Sequence, residues 1–288
     1  MSAIFGPAGT SESFTKMGYK GSLQVPEFIE KMGLDAFEYQ CGRGVNIGFE
    51  KASELGKLAI DKAITLSLHA PYYISMSSVE EEKRLNSVKY ILDSAKAVNA
   101  MGGNRIVVHT GSCGKISREK ALELAIDTMK ISLDALDNEG LSHIHICPET
   151  MGKVNQLGTL DEVMALCKID ERLIPCIDFG HLNARDLGSL NTIDDFENVL
   201  LTIKNELGTD RFKSFHSHFS KIEYTTGGEK RHLTFDDAVY GPNFEPLMEL
   251  VAKYNLSPTF ICESAGTQAE DAKTMKDYYE NVIKDGVL

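Results

Sequence analysis

The chain has 288 residues, of which 42% are hydrophobic and 25% are charged. This composition is typical of a globular protein and excludes collagen, coiled coil and extended disorder. The formal net charge of −12 argues against a polyanionic partner, because sequence-independent affinity for nucleic acid comes from Lys and Arg. The negative charge does not exclude nucleic acid, however, because divalent cations bound by a cluster of acidic residues make that part of the surface neutral or positive.

Segments that would direct the chain to a membrane are not evident in the sequence. No apolar run approaches the about 20 residues that span a bilayer, and the first residues lack a basic segment followed by an apolar one. We therefore expect a cytoplasmic protein without membrane contact and without an obligatory protein partner. The six cysteines are dispersed and form no Cys-x-x-Cys pair, which predicts reduced, mostly buried thiols.

Short β-rich runs alternate eight times with amphipathic stretches, a pattern typical of parallel strands joined by crossover helices. The predicted strands are residues 3–7, 34–40, 65–69, 105–109, 143–149, 174–178, 212–218 and 258–263. The predicted helices include residues 79–100, 117–138, 159–168, 192–207, 244–254 and 269–283. In a chain of this length, eight strands predict one (β/α)8 TIM-barrel domain over residues 1–288.

A doubly wound open sheet is the alternative architecture. It is disfavoured because no Gly-rich phosphate-binding motif follows the first strand. The helix ends are marked by N-cap residues Ser117 and Thr159 and by glycines 102, 140 and 208. Residues 220–243 are predicted to form a long irregular loop, and loops of that length are usually functional.

Six successive predicted strands end in a side chain that can bind metal. These side chains are His69, His109, Glu149, Asp178 with His181 behind it, His216 or His218, and Glu263. In a closed barrel, the strand ends meet at one mouth, where active sites are built. The alternation of side chains directs His109 and Glu149 inward, but it also directs both His216 and His218 inward and cannot choose between them.

These residue types together predict a polynuclear metal site. Imidazoles suit zinc, with manganese or iron as alternatives, and a carboxylate can bridge two ions that activate one water. Two ions about 3.5–4 Å apart can stabilise the attacking and leaving oxygens at phosphorus. The prediction is phosphodiester hydrolysis by a metal-bound hydroxide. His143 and His145 lie earlier in their strand and are predicted to pack below the mouth.

The motifs around these residues resemble the endonuclease IV family of abasic-site nucleases, within the wider xylose-isomerase-like barrels. The resemblance extends over nearly the whole chain. Its motifs are His69-Ala70-Pro71-Tyr72-Tyr73, His109-Thr110-Gly111-Ser112, Cys147-Pro148-Glu149, Asp178-Phe179-Gly180-His181, His216 with Ser220-Lys221 behind it, and Ile261-Cys262-Glu263-Ser264. The resemblance implies three zinc ions and cleavage of duplex DNA 5′ to abasic sites during base excision repair.

The resemblance also implies a role for each ligand. Glu149 would bridge two ions, His69 and His109 would complete the first site, and Asp178, His216 and Glu263 the second. Glu149, Asp178 and Glu263 are the predicted catalytic residues. His181 and His232 would hold a third ion with Glu229, although the family has Asp-x-His where this chain has Glu229-Lys230-Arg231-His232. This longer spacing leaves a two-ion site as an alternative, and His218 would be either a ligand or the partner of one.

The substrate-binding residues predicted from this resemblance are Tyr72, Lys221 and Arg231. The loop after the second strand, with Gln40 and Arg43, is less basic than the family pattern. An isomerase or epimerase of small sugars is the alternative function, and a non-catalytic metal-binding protein is a third. A sugar isomerase holds one divalent ion with two carboxylates and two His, so the number of bound ions separates it from the nuclease.

Overall fold

The computed structural model describes residues 2–286. Eight of the strands in this range form the barrel. They are β1 (Ile4–Pro7), β2 (Ala36–Gln40), β3 (Thr65–His69), β4 (Arg105–Val108), β5 (His145–Pro148), β6 (Cys176–Asp178), β7 (His216–Phe219) and β10 (Thr259–Cys262). Two further strands, β8 (Ile222–Thr225) and β9 (Gly228–His232), form an antiparallel hairpin after β7.

Parallel pairing closes the eight strands into a ring. One run of pairs joins β2, β3, β4 and β5, and another joins β6, β7, β10 and β1. Parallel bridges between Ala8 and Glu38 and between Glu149 and Cys176 connect the two runs at both seams. The predicted (β/α)8 TIM barrel is confirmed. The outermost residues of the predicted domain, Met1, Val287 and Leu288, lie outside the described range.

The helices in the described range surround the barrel and follow the strands. They are α1 (Glu12–Lys16), α2 (Val25–Lys31), α3 (Phe49–Asp61), α4 (Glu81–Ala100), α5 (Arg118–Asn138), α6 (Leu160–Cys167), α7 (Phe179–Arg185), α8 (Ile193–Leu207), α9 (Thr209–Lys213), α10 (Glu245–Lys253) and α11 (Gln268–Lys284). Ser117 caps α5 by accepting from the Lys120 amide, and Thr159 caps α6 by accepting from the Glu162 amide. Within residues 2–286, no helix is long and apolar enough to cross a bilayer.

The core has an inner and an outer layer, as the side-chain alternation predicts. Ile106 and Val108 on β4 pack among the large apolar set that lies between strands and helices. Val107, between them, packs inside the barrel with Cys147, Ile174 and Cys176. Because alternate residues face the lumen, the same alternation brings the side chains that follow Val107 and Cys147 by two residues, His109 and Glu149, to the mouth.

One prediction about a loop was wrong. Residues 220–243 are not irregular throughout, because β8 and β9 form a hairpin within them, with Thr226 and Gly227 at its turn. The hairpin packs over the barrel mouth through a bridge between Lys153 and Gly228. It therefore carries part of the candidate site toward the strand ends.

Candidate metal centre

Among residues 2–286, side chains that can bind metal form five overlapping sets, and three of these sets, called the first, second and third group, together contain all the ligand-type residues of the mouth. In each group, one potential ligand atom from every residue lies within 4.8 Å of the others. The first group is His69, His109 and Glu149; the second is Glu149, Asp178, His218 and Glu263; the third is His181, Glu229 and His232. The other two sets are His69, His218 and Glu263, which connects the first and second groups, and Cys176, His216 and His218, which lies deeper in the barrel. Glu149 belongs to both the first and the second group, so its two oxygens can face two different ions.

The second group contains His218 where the resemblance implied His216. His218 Nδ1 lies 3.2 Å from Glu149 Oε1 and 3.6 Å from Glu263 Oε2. His216 is two residues nearer the base of the barrel, and its Nε2 contacts Glu38 Oε2 at 3.0 Å. Both imidazoles face the lumen as predicted, but only the later one reaches the mouth. The assignment of His216 to this group is therefore corrected to His218.

The donor set fits divalent cations. Glu149 Oε2 and Asp178 Oδ2 are buried and have no hydrogen-bond partner among residues 2–286. Nevertheless, His69 Nε2 and His109 Nε2 lie 3.4 and 3.1 Å from Glu149 Oε2. Buried carboxylate oxygens without hydrogen bonds are costly. A cation between these oxygens and the imidazoles would remove that cost.

Charge in the centre is divided between carboxylates and imidazoles. Burial alone would raise the pKa of the Glu149 carboxyl, but His218 and His109 outweigh burial and hold that pKa well below its ordinary value. Burial raises the pKa of the Asp178 carboxyl, assisted by repulsion from Glu263 and Glu149. Burial opposes a charged His69, yet its contact with Glu149 raises the pKa of His69 to about 9. The ionised Glu149 carboxylate is therefore stabilised by cationic imidazoles, and a bound metal cation would take over that role.

Most of the imidazoles are oriented by a hydrogen bond on the nitrogen that faces away from their group. His69 Nδ1 lies 2.8 Å from Ala70 O, and His232 Nδ1 lies 2.8 Å from Ser220 Oγ. His181 Nδ1 lies 2.9 Å from Thr150 O, which leaves Nε2 facing Glu229 Oε2 at 3.5 Å. Such partners fix the tautomer and the ring orientation of metal-binding histidines.

A β-bulge explains how the third group accommodates the longer spacing between Glu229 and His232. Residues three apart on a regular strand point to opposite faces. Here Glu223 pairs with Arg231 while the next residue, Tyr224, pairs with Glu229, so Lys230 is the extra residue. A bulge adds one residue to one strand and restores the alternation beyond it. Both Glu229 and His232 can therefore face His181.

The loop after β5 supports the hairpin that carries the third group. Gly152 O accepts from the Glu229 amide at 3.0 Å. A β-carbon at position 152 would lie 2.6 Å from Glu229 Cβ and 2.9 Å from His181 Cδ2, so only glycine fits there. Arg185 at the end of α7 is buried and donates to the carbonyls of Met151 and Lys153 at 3.0 and 2.8 Å. This loop thus fixes the distance between His181 and the hairpin.

Comparison with known proteins identifies the family. A family model described as xylose isomerase-like TIM barrel matches residues 26–281. The chain belongs to this family. It is 34% identical over 277 residues to an uncharacterised protein of Methanocaldococcus jannaschii, covering 96% of this chain and 97% of the relative. It is 28% identical over 216 residues to a probable endonuclease 4 of Methanosphaera stadtmanae, covering 69% of this chain and 76% of the relative.

Solved structures support the same xylose isomerase-like fold. A D-tagatose 3-epimerase-like protein superimposes with a TM-score of 0.72 at 18% identity, covering 99% of this chain and 100% of the other. Endonuclease IV from Thermus thermophilus gives a TM-score of 0.65 at 16% identity, covering 96% and 99%. At these identities the likeness establishes the fold alone, and it includes both nuclease and epimerase barrels.

The predicted substrate-binding residues have different environments. Tyr72 is 60% exposed and lines a cavity of about 250 Å³ together with His109 and Gln156. Lys221 Nζ donates to the carbonyls of Phe235 and Asp237 at 2.9 and 2.6 Å, within its own loop. The exposed Arg231 pairs with Glu223 at 2.6 Å. Tyr72 is therefore free to contact a ligand beside the first group, whereas both cations already have partners.

Two histidines lie away from the mouth, and one buried acidic residue lies beneath it. His143 contacts Asn99, and His145 contacts Arg172 O, both away from the mouth, as predicted. Glu38 was not recognised in the sequence, although it is fully buried beneath the second group. An acidic residue at a lumen-facing position of the predicted second strand was the available signal, because carboxylates are rarely buried unless paired.

Proposed function

We propose that this protein is a metal-dependent phosphodiesterase that cleaves duplex DNA 5′ to abasic sites in DNA repair, as the endonuclease IV family does. The observation that carries the proposal is the set of three adjoining ligand groups, with Glu149 common to two of them. One ion would leave most of these side chains without a role. The relatives described as probable endonuclease 4 support the same conclusion.

The residues present would hold two or three ions, with zinc favoured by the imidazoles and manganese or iron as alternatives. Bound divalent ions would supply a nucleophile at neutral pH and neutralise charge on a phosphodiester. Glu149 would be a ligand in both the first and the second group, while Asp178 and Glu263 would contribute further negative charge to the second. The third group, on the hairpin and α7, would hold a further ion, which would add positive charge for the phosphodiester.

Contact with the substrate is proposed for Tyr72, which lies beside the first group. Its exposed ring offers a surface for stacking on a base or entering the duplex near a missing one. Lys221 and Arg231 would contribute less than expected from the sequence, because Lys221 contacts its own loop and Arg231 is paired with Glu223. The chain's net charge of −12 is consistent with a substrate held mainly through metal ions rather than through basic residues.

An epimerase acting on small sugars is the second candidate. It is favoured by the second group, in which Glu149, Asp178, His218 and Glu263 supply enough donors for one ion without the other groups. In that case His109, His181, Glu229 and His232 would have no catalytic role. Whether the first and third groups bind ions therefore distinguishes the nuclease from the epimerase.

The test is incision of a labelled duplex that carries one abasic site. Protein loaded with zinc or manganese should cut the abasic strand 5′ to the site, while the matched intact duplex and chelator-treated protein should give no product. Small ketoses should be incubated with the same preparations. Interconversion of a ketose without incision of the abasic strand would reject the nuclease and support the epimerase.

A further inference from the structure

Glu38 is a charged residue enclosed in the barrel directly beneath the second ligand group. It lies on β2 and is 0% exposed. Glu38 Oε1 lies 2.9 Å from His218 Nε2, while Oε2 lies 3.0 Å from His216 Nε2. Ser67 Oγ also donates to Oε2 at 3.0 Å. The carboxylate therefore contacts both imidazoles of β7 and connects the mouth with the interior of the barrel.

His218 differs from the other histidines of the centre in how it is oriented. Its Nδ1 faces Glu149 and Glu263, so Nε2 faces away from the second group and toward Glu38. The corresponding partners of His69, His181 and His232 are a carbonyl, a carbonyl and a hydroxyl. For His218 alone among these four, the neighbour of the nitrogen that faces away from the group is a carboxylate, and the pair is a close contact at 2.9 Å rather than a well-aligned hydrogen bond. A carboxylate stabilises an N–H donor more strongly than a neutral acceptor does.

Each carboxylate oxygen of Glu38 contacts one imidazole and accepts one further hydrogen bond. Oε2 contacts His216 and accepts from Ser67 Oγ, while Oε1 contacts His218 and accepts from Gln40 Nε2 at 3.3 Å. Of the two imidazoles, only His218 belongs to the second group.

We propose that Glu38 is a positioning residue that holds the proton of His218 on Nε2 and directs Nδ1 toward the ion of the second group. This inference rests on the proposed metal centre but does not depend on the substrate. A carboxylate, an imidazole and a metal ion in series fix the tautomer and increase the basicity of the ligand. Glu38 would therefore determine affinity at the second group without touching an ion.

The test compares zinc affinity in the wild type, Glu38→Gln and Ser67→Ala by competition with a chromophoric chelator. Glu38→Gln keeps the size of the side chain and removes its charge, so affinity for one ion should fall about 10- to 100-fold, with the other sites unchanged. Ser67→Ala is the matched control. It removes a hydrogen bond to Oε2 but leaves the Oε1 contact with His218, and its affinities should equal those of the wild type.

A second measurement needs no variant and reports the tautomer directly. Long-range proton–nitrogen NMR of the zinc-loaded wild type should show His218 protonated at Nε2. A purely structural role for Glu38 would lower thermal stability in Glu38→Gln without changing the zinc affinity of the folded fraction. Protonation of His218 at Nδ1, or equal zinc affinities in the wild type and Glu38→Gln, would overturn the inference.

These outcomes separate the inference from the proposed nuclease. Wild type that binds zinc at the second group but does not cut abasic DNA, together with weakened binding in Glu38→Gln, would reject the nuclease and support the role of Glu38. Wild type without zinc at the second group would overturn both proposals. Cleavage of abasic DNA with unchanged zinc affinity in Glu38→Gln would overturn the role of Glu38 alone.

Discussion

Glu149 is the residue on which two ligand groups depend. We predict that Glu149→Gln lowers turnover by more than about 100-fold, because an amide cannot supply the charge that holds two cations close together. The fold should remain intact, since barrel stability resides in the packed layers rather than at the catalytic mouth. Steady-state kinetics and circular dichroism measure the two effects. Wild-type rates in the variant would show that Glu149 does not join two ions.

Gly152 sets the position of the third group. We predict that Gly152→Ala removes one ion and leaves the other two, because the added methyl group would collide with Glu229 and His181. Metal content of the purified variants measures this effect. Gly21→Ala is the control, since a β-carbon at that position has no neighbour within 4 Å. Equal metal content in both variants would show that the third group does not bind an ion.

At the scale of elements, the bulge in β9 lets the hairpin present two ligands in spite of their spacing. We predict that deletion of Lys230 preserves the metal content, because the remaining Glu-Arg-His sequence is regular and keeps both ligands on one face. Replacing Lys230 by Ala should also preserve it, since the bulge needs only an extra residue. Loss of one ion on deletion, but not on replacement by Ala, would mean that the bulge itself shapes the third group.

Helix α6 begins at a pH-dependent ion pair between the half-buried Arg118 and the buried Glu162. Burial opposes ionisation of Glu162, but hydrogen bonds from Arg118 and from the amides of Gly158 and Thr159 lower its pKa. A carboxyl with a lowered pKa in the folded state stabilises the fold above its unfolded pKa of about 4.3, and this contribution disappears as pH falls through the folded value.

We therefore predict that Glu162→Gln lowers the free energy of unfolding by about 1–3 kcal/mol at pH 7. The difference from the wild type should shrink below about pH 4. Urea unfolding at several pH values measures it. The control is Asp161→Asn, which removes an exposed charge from the same helical turn. A difference that is constant with pH would exclude the ionised carboxyl as its source.

The elements that the sequence predicted best are the long helices, since α5, α6 and α8 begin and end within one residue of their predicted bounds and capping residues mark their starts. The predicted strand at residues 212–218 was placed too early, because residues 212 and 213 belong to α9 and β7 begins at His216. The hairpin was missed since its strands are short and polar, as Glu223, Glu229 and Lys230 show. His216 and His218 could not be separated, because alternation determines the face of a residue and not its depth in the barrel. The contacts of Glu38 with His216 and His218 could not be predicted either, because β2 and β7 are distant in sequence.

At the scale of the whole molecule, the barrel brings together ligands from six strand ends, α7 and the hairpin. A centre with several ions would give a role to all of these ligands, which come from most of the chain. Lys221 and Arg231 near the mouth already have partners, so metal ions would be the main means of holding a phosphodiester there. The number of ions is therefore the property on which the proposed activity depends.

The most direct test is anomalous X-ray diffraction at the zinc edge from crystals of the zinc-loaded protein. We predict three peaks: one among His69, His109 and Glu149; one among Glu149, Asp178, His218 and Glu263; and one among His181, Glu229 and His232. A single peak confined to the second group would contradict the account and would favour a single-ion epimerase.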